Sequence, residues 1–332
     1  MTRLLLATDG SGDARNALDW VKCLPFPDDT HFIVLTVLEP PLLPSLPEAT
    51  GDLRRAFLAA ARTLVDDVCA QLPRGAPTHA RVAEGDAREA IVAAAIEWGA
   101  DLVVMGARGL GAVKGFLLGS VSLGVARHAP CPVLVCKGPA RAIREVVVAQ
   151  DGSAGAEAAA RFFAALPLAH STHVRVVGVA EPVRYSASAP EMLAPALGRA
   201  VAQAEADRRA TLARTLTRAV DVLRGNVATV DLDVTVGHAA EEIVRLADVK
   251  GSDLVVVGAR GLGAMKRLLF GSVSESVLRH AGCPVLVVRG RTTTIDAADD
   301  RMIASGQRSM KVRDDVHHDP RHRSARRCRH DA

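Results

Sequence analysis

The chain repeats itself. The segment Asp101-Leu-Val-Val-Met-Gly-Ala-Arg-Gly-Leu-Gly-Ala112 returns as Asp253-Leu-Val-Val-Val-Gly-Ala-Arg-Gly-Leu-Gly-Ala264, and the same offset of 152 carries Gly119-Ser120 onto Gly271-Ser272 and Arg127-His128-Ala129 onto Arg279-His280-Ala281. Nearer the start of each half the offset is 142, with Asp9-Gly10-Ser11 matched by Asp151-Gly152-Ser153 and Glu39-Pro40 by Glu181-Pro182. The second half has therefore gained ten residues between Pro182 and Gly237, in a surface loop or the helix that follows it. A repeat of this kind means two copies of one folding unit. At 332 residues each copy has the length of an ordinary domain with its own core.

Within a copy, short apolar runs alternate with longer helical ones, the pattern of a parallel sheet covered by helices on both faces. Leu4 to Thr8 reads as a strand buried on both sides, Asp13 to Lys22 as helix, and His31 to Leu38 as a β-branched strand. Pro40 to Pro47 reads as a loop before a helix from about Leu53 to Leu72. Strands over Thr78–Glu84, Leu102–Met105 and Val133–Cys136 alternate with helices over Ala87–Trp98 and Ser120–His128. The second copy repeats the order, with strands over Glu145–Ala149, His173–Val179, Ala228–Val236, Leu254–Val257 and Val285–Arg289.

Composition agrees with this reading. Hydrophobic residues are 49% of the chain but aromatics only 3%, so the core is built mainly from Ala, Val and Leu. No apolar run reaches the roughly 18 residues of a membrane span, and Met1-Thr2-Arg3 leads into a strand-like run without the stretch of a signal peptide. A cytoplasmic protein is expected. The six cysteines have no metal-site spacing, and Cys23, Cys69, Cys131 and Cys283 sit in or beside apolar segments, where a thiol serves as a small hydrophobe. Redox sensing at Cys131 or Cys136 is the competing reading. Residues 291–332 hold ten Lys/Arg, seven Asp/Glu and four His with almost no apolar periodicity, and are read as a disordered tail. That tail carries +3 of the formal net charge of +4, so the folded part lacks the basic surface and the aromatics of a nucleic-acid binder.

The chemistry concentrates in Gly106-x2-Gly109-x9-Gly119-Ser120 and its twin Gly258-x2-Gly261-x9-Gly271-Ser272. Each follows an apolar strand and ends where a helix begins, which places backbone N–H groups and a helix N-terminus where an anion can sit. Glycines there are expected to turn with positive φ and to let the main chain approach a phosphate. Ser120 and Ser272 are expected to cap the helix and donate a hydroxyl to a phosphate oxygen.

With an A-x-D-G-S segment in each copy, Val-Ala-Glu-Gly85 or Val-Thr-Val-Gly237 before the third helix, and H-A-x-C-P-V-L-V at the last strand, these motifs resemble the ATP-binding branch of the universal stress protein family over residues 1–290. The tandem form is similar to the two-domain members common in actinobacteria. The resemblance implies an α/β fold of the adenine nucleotide alpha hydrolase-like (Rossmann-like) type. It comprises two tandem five-stranded parallel sheets of order 3-2-1-4-5, in domains at 1–138 and 143–290. Strands 1 and 4 then adjoin, and a crevice opens at their carboxyl ends. The family implies ATP as ligand, with Asp9, Asp151 and the backbone near Val37 and Val179 on adenine and ribose. Gly106, Gly109, Gly119 and Ser120, and Gly258, Gly261, Gly271 and Ser272, would hold the phosphates, with Val121 and Val273 beside them. It also implies that the last strands of the two domains pair, making an intramolecular pseudo-dimer. Homodimerisation of whole chains and an unidentified protein partner are expected as well.

Blander readings stand beside these. A glycine loop after a strand is often only a tight turn, and Asp9 and Asp151 could simply cap the first helix of each copy. Arg108 and Arg260, with Lys114 and Lys266, are either phosphate neutralisers or solvated cations; Arg267 replaces Gly115 in the second loop. His128 and His280 are read as helix-end caps rather than catalytic groups. No G-K-[ST] follows the glycines and no second acidic motif marks a magnesium site, so hydrolytic machinery is not expected. Magnesium is compatible with the loop, because it commonly binds through the phosphates. Three functions compete: a nucleotide-gated regulator in stress or dormancy, a slow ATPase, and an interaction module with vestigial loops.

Overall fold

Leu4, Leu5 and Leu6 are all fully buried, Leu5 against one side of a sheet and Leu4 and Leu6 against the other. Side chains alternate along a strand, so a continuous apolar run is stable only where both faces are covered. The computed structural model describes residues 2–24, 26–39, 47–110, 118–166, 172–182, 194–225, 227–261 and 270–289. Of the loop expected over Pro40–Pro47, residues 40–46 lie outside the described residues and Pro47 begins a helix; Lys114, Gly115, Lys266, Arg267 and the tail expected over 291–332 also lie outside them.

The first half contains strands β1 (Arg3–Ala7), β2 (His31–Leu38), β3 (Thr78–Glu84), β4 (Leu102–Gly106) and β5 (Val133–Cys136). Its helices are α1 (Gly12–Cys23), α2 (Pro47–Ala70), α3 (Ala87–Glu97) and α4 (Ser120–His128). The second half follows with β6 (Glu145–Ala149), β7 (His173–Ala180), β8 (Thr229–Val236), β9 (Leu254–Gly258) and β10 (Val285–Val288). Its helices are α5 (Ala154–Ala164), α6 (Ala194–Arg224), α7 (Ala239–Val249) and α8 (Ser272–His280). Helix α6 has 31 residues against 24 in α2, so much of the extra length of the second copy is helical.

All ten strands form one sheet, in the order β3-β2-β1-β4-β5-β10-β9-β6-β7-β8. Each half thus has the order 3-2-1-4-5, and every pairing within a half is parallel. The halves join by antiparallel pairing of β5 with β10, with Leu134 opposite Leu286 at the centre. One core packs α3, α4, α7 and α8 on one face of the sheet, and a second packs α1, α2, α5 and α6 on the other; both run across the junction.

Reciprocal contacts reinforce this junction. Lys137, just after β5, donates from Nζ to the carbonyls of Leu278 (2.8 Å) and Ala281 (2.6 Å) at the C-terminal end of α8. Arg289, its counterpart after β10, donates to the carbonyl of Arg127 at the end of α4. Each half therefore supplies a cation to the partial negative charge at the end of the other half's helix. Near the same place Glu275 takes Arg127 on Oε2 (2.6 Å) and Arg279 on Oε1 (2.9 Å).

Cysteine burial follows helix geometry rather than neighbouring composition. Cys131, Cys136 and Cys283 are buried and Cys69 is half-buried, but Cys23 is exposed, contrary to expectation. The buried face of α1 is Ala14, Ala17, Leu18 and Val21, with Trp20 beside it, and Cys23 falls off that stripe. Burial pushes the thiols of Cys69 and Cys131 up to about 12 and that of Cys283 up to about 11, and pushes Cys136 up as well. The reactive thiolate is thereby suppressed, which argues against redox sensing at Cys131 or Cys136. No helix among the described residues is long and apolar enough to cross a membrane.

Burial pulls the Lys137 ammonium down from its ordinary value near 10.5 to about 8. Between these values the unfolded chain holds one more proton than the folded one, so stability attributable to this group rises with pH across that window. Denaturant titrations from pH 8 to 10 are expected to show that rise in the parent and not in Lys137→Met. Identical pH slopes in the two proteins would contradict the buried ammonium.

Candidate functional site

The end of β1 and the end of β4 meet because β1 and β4 are adjacent and parallel, with Ala7 beside Met105. Beyond β1 the chain turns at Gly10, whose φ of 75° is a left-handed conformation that favours glycine. Ser11 then caps α1: its Oγ accepts the N–H of Ala14 (3.2 Å) and donates to the carbonyl of Arg108 (3.3 Å). The Asp9 carboxylate bridges the same two segments, accepting the N–H of Ser11 on Oδ1 (3.0 Å) and the N–H of Leu110 on Oδ2 (2.9 Å). Asp9 therefore does not cap α1. It ties the turn after β1 to the glycine loop after β4.

The second copy repeats this arrangement. Gly152 has a φ of 80°, Asp151 accepts the N–H of Ser153 (2.9 Å), and Ser153 caps Ala156 (3.2 Å) while donating to the carbonyl of Arg260 (3.3 Å). The capping serines, Ser11 and Ser153, are the functional positions that sequence reasoning passed over. Their place just before each helix, inside the A-x-D-G-S motif, was the available signal.

The loop glycines are explained by close approach. A Cβ on Gly106 would lie 2.5 Å from the carbonyl carbon of Asp13, and one on Gly258 would lie 2.6 Å from that of Gly155, so each glycine lets a helix N-terminus pack against the strand end. A Cβ on Gly109 would lie 2.5 Å from Asp9 Oδ2, and one on Gly261 would lie 2.5 Å from Asp151 Oδ2. The expectation of positive φ in the loop is corrected: it occurs at Gly10 and Gly152 in the turn opposite, not at Gly106, Gly109, Gly119, Gly258, Gly261 or Gly271. The expectation that Ser120 and Ser272 cap their helices is corrected as well. The N-caps are Gly119 and Gly271, neither with a side-chain acceptor, and each serine is the first helical residue. Both caps are held by the same bond, Gly119 N–H to Ala107 O and Gly271 N–H to Ala259 O at 2.8 Å.

In the first half these elements enclose a cleft of about 700 Å³. Asp9, Gly106, Gly109, Gly119, Ser120 and Val121 all line it, with Val37 on the β2 side. Leu35, Ile91 and Met105 make the remainder of that wall apolar. The N–H groups of the first turn of α4 carry no side-chain cap and lie at its edge. In the second half Gly258 ends β9, Gly271 and Ser272 begin α8 with Val273 exposed, Gly261 abuts Asp151, and Val179 lies in β7 against the core.

The cations of the two copies differ. Arg108 is engaged by Asp13, with Nε 2.9 Å from Oδ2. The position of Asp13 is occupied by Gly155 in the second copy, and Arg260 Nε is buried without a hydrogen-bond partner. His128 and His280 each place Nδ1 2.8 Å from a carbonyl one turn back, Gly124 O and Ser276 O, a helix-end role.

The profile of the Universal stress protein family matches residues 1–137 and again residues 142–289. The chain belongs to the universal stress protein family. Universal stress protein Rv2623 of Mycobacterium tuberculosis is 32% identical over 267 residues, 78% of this chain and 84% of that protein. A universal stress protein of Mycolicibacterium smegmatis is 27% identical over 303 residues, 87% of this chain and 97% of that protein. The crystal structure of a universal stress protein from Archaeoglobus fulgidus shares the fold, with a TM-score of 0.53 at 20% identity over 87% of this chain and 98% of that one. The doubled motifs are thus two universal stress protein units in one chain.

The acid and glycine of this universal stress protein site constrain each other. Gly109→Ala is expected to cost about 1–3 kcal/mol, in the range of local strain and a broken buried contact. In an Asp9→Ala background the same substitution is expected to cost much less, because the obstructing oxygen is gone. Denaturant unfolding of the four proteins in this double-mutant cycle measures the coupling, and additive losses would show that the contact does not matter.

Proposed function

We propose that this chain is an ATP-binding regulator, with one nucleotide held in the first-half cleft and another at the equivalent positions of the second half, their occupancy gating contact with a protein partner under stress. The observation that carries this reading is the first-half cleft itself, whose volume lies in the range of small-molecule sites. Its residues fit a nucleoside phosphate: the apolar wall of Val37, Leu35, Ile91 and Met105 suits a base, and Asp9 lies within it as an acceptor for ribose hydroxyls. Gly109, Gly119 and the uncapped first turn of α4 offer backbone N–H groups to phosphate. Equivalent positions in the second half, Asp151, Gly261, Gly271 and Ser272, support a second site of the same kind.

Holding rather than hydrolysing the nucleotide is the preferred reading. Among the described residues lining the cleft, the ionisable groups are Asp9, Glu39, Arg108 and Arg279. Asp9 already accepts two backbone N–H bonds, which disfavours it as a base toward water. Among the described residues no group of three His, Cys, Asp or Glu side chains is arranged for a metal, so magnesium would enter with the phosphates.

Mass spectrometry of nucleotide released from the purified protein tests the reading, together with thermal unfolding under added ATP. A bound ligand at about a hundred times its Kd stabilises the fold by ~2.7 kcal/mol. ATP is expected to be released by the parent and to raise its Tm, whereas Ser120→Glu/Ser272→Glu, with a carboxylate at each helix N-terminus, is expected to fold and to lose both effects. Absence of nucleotide and of any shift in the parent favours the interaction-module alternative, and undiminished binding in the double variant moves the site elsewhere. Turnover of labelled ATP that disappears with the double variant favours a slow ATPase.

A further inference from the structure

One residue of the first-half cleft comes from the other half. Arg279, near the end of α8, lines it alongside Ser120, Val121 and Leu123 of α4. The junction already described holds α8 in place: β5 pairs with β10, Lys137 caps α8, and Arg289 caps α4.

Charge makes this intrusion consequential. The acids lining the cleft are Asp9 and Glu39, and its own arginine, Arg108, is engaged by Asp13. Without Arg279 the described charges around the cleft would disfavour a polyanion. Glu275 holds Arg279 through Nη2 (2.9 Å) and Nε (3.2 Å), but it also holds Arg127 (2.6 Å). One carboxylate facing two guanidinium groups leaves a positive charge, and the Arg279 side chain is 41% exposed. The repeat supplies no second acid, because the position equivalent to Glu275 in the first copy is Leu123.

We propose that Arg279 is a ligand-binding residue of the first-half cleft, supplied by the second half to the phosphate end of a bound nucleotide. Glu275 holds it at the junction, so filling the first cleft depends on the docking of the two halves. The inference deepens the nucleotide reading and rests on it.

Calorimetric titration of the full-length chain with ATP tests it in two backgrounds. Ser272→Glu leaves the first cleft as the intact site, and Ser120→Glu leaves the second. Arg279→Gln is expected to weaken ATP about tenfold in the Ser272→Glu background, the scale of one charge-assisted contact to phosphate, and to leave the Ser120→Glu background unchanged. Arg127→Gln, which removes the other guanidinium from Glu275, is expected to preserve first-cleft affinity. The inference is overturned by unchanged affinity of Arg279→Gln in the first cleft, by equal losses in both clefts, or by an equal loss with Arg127→Gln. If neither background binds ATP, the nucleotide reading fails and takes this inference with it. If ATP binds but Arg279→Gln has no effect, only the inference fails.

Discussion

An open strand edge is the constraint on which the rest of this molecule depends. A parallel sheet of order 3-2-1-4-5 ends on its fifth strand, and here that strand is the buried apolar Val133–Cys136. Left alone it would expose unpaired N–H and C=O groups beside a hydrophobic face. Antiparallel pairing of β5 with β10 satisfies both edges at once and makes one sheet of two. Much else follows from that pairing. It merges the two cores, brings α4 beside α8, and lets Lys137 and Arg289 exchange helix caps.

The site shows how few residues fix its geometry. Asp9 and Gly109 are complementary: the carboxylate holds the loop through Leu110, and the loop accepts it only because residue 109 lacks a side chain. Gly106 has a separate duty, admitting the N-terminus of α1 against the end of β4. Gly119 is less crowded, with the nearest atom to an added Cβ at 3.2 Å, and leaves the start of α4 uncapped. The motif thus divides into two glycines that allow packing and one that leaves a helix terminus open to an anion.

Much of the fold was legible in the sequence because the repeat reported each element twice. His31–Leu38, Thr78–Glu84 and Ser120–His128 fall where patterning places them, since apolar periodicity is set by burial on the sheet. The opposition of Asp9 and the glycine loop was legible too, once strands 1 and 4 were neighbours. The finer chemistry was not. Positive φ belongs to Gly10 because the turn is there, and a loop glycine can be required by a carboxylate far away in the sequence, as Gly109 and Asp9 demonstrate. Cys23 sits among apolar neighbours yet faces outward, because helical phase decides exposure. Arg279 was visible only as part of a repeated tripeptide, and its place in the opposite cleft depends on docking that no local pattern encodes.

The order of synthesis gives the β5–β10 pairing a kinetic side. Strand β5 ends at Cys136 and its partner begins at Val285, so nearly the whole second half must be translated before the edge can close. At about 5–20 residues per second, that interval lasts roughly seven to thirty seconds. Throughout it, the first half can complete its own four parallel pairings while presenting a bare, apolar strand to any other nascent chain. The duplicated chain therefore has a built-in period of exposure that ends only when its own second copy folds, with a β10 from another molecule as the closest available substitute.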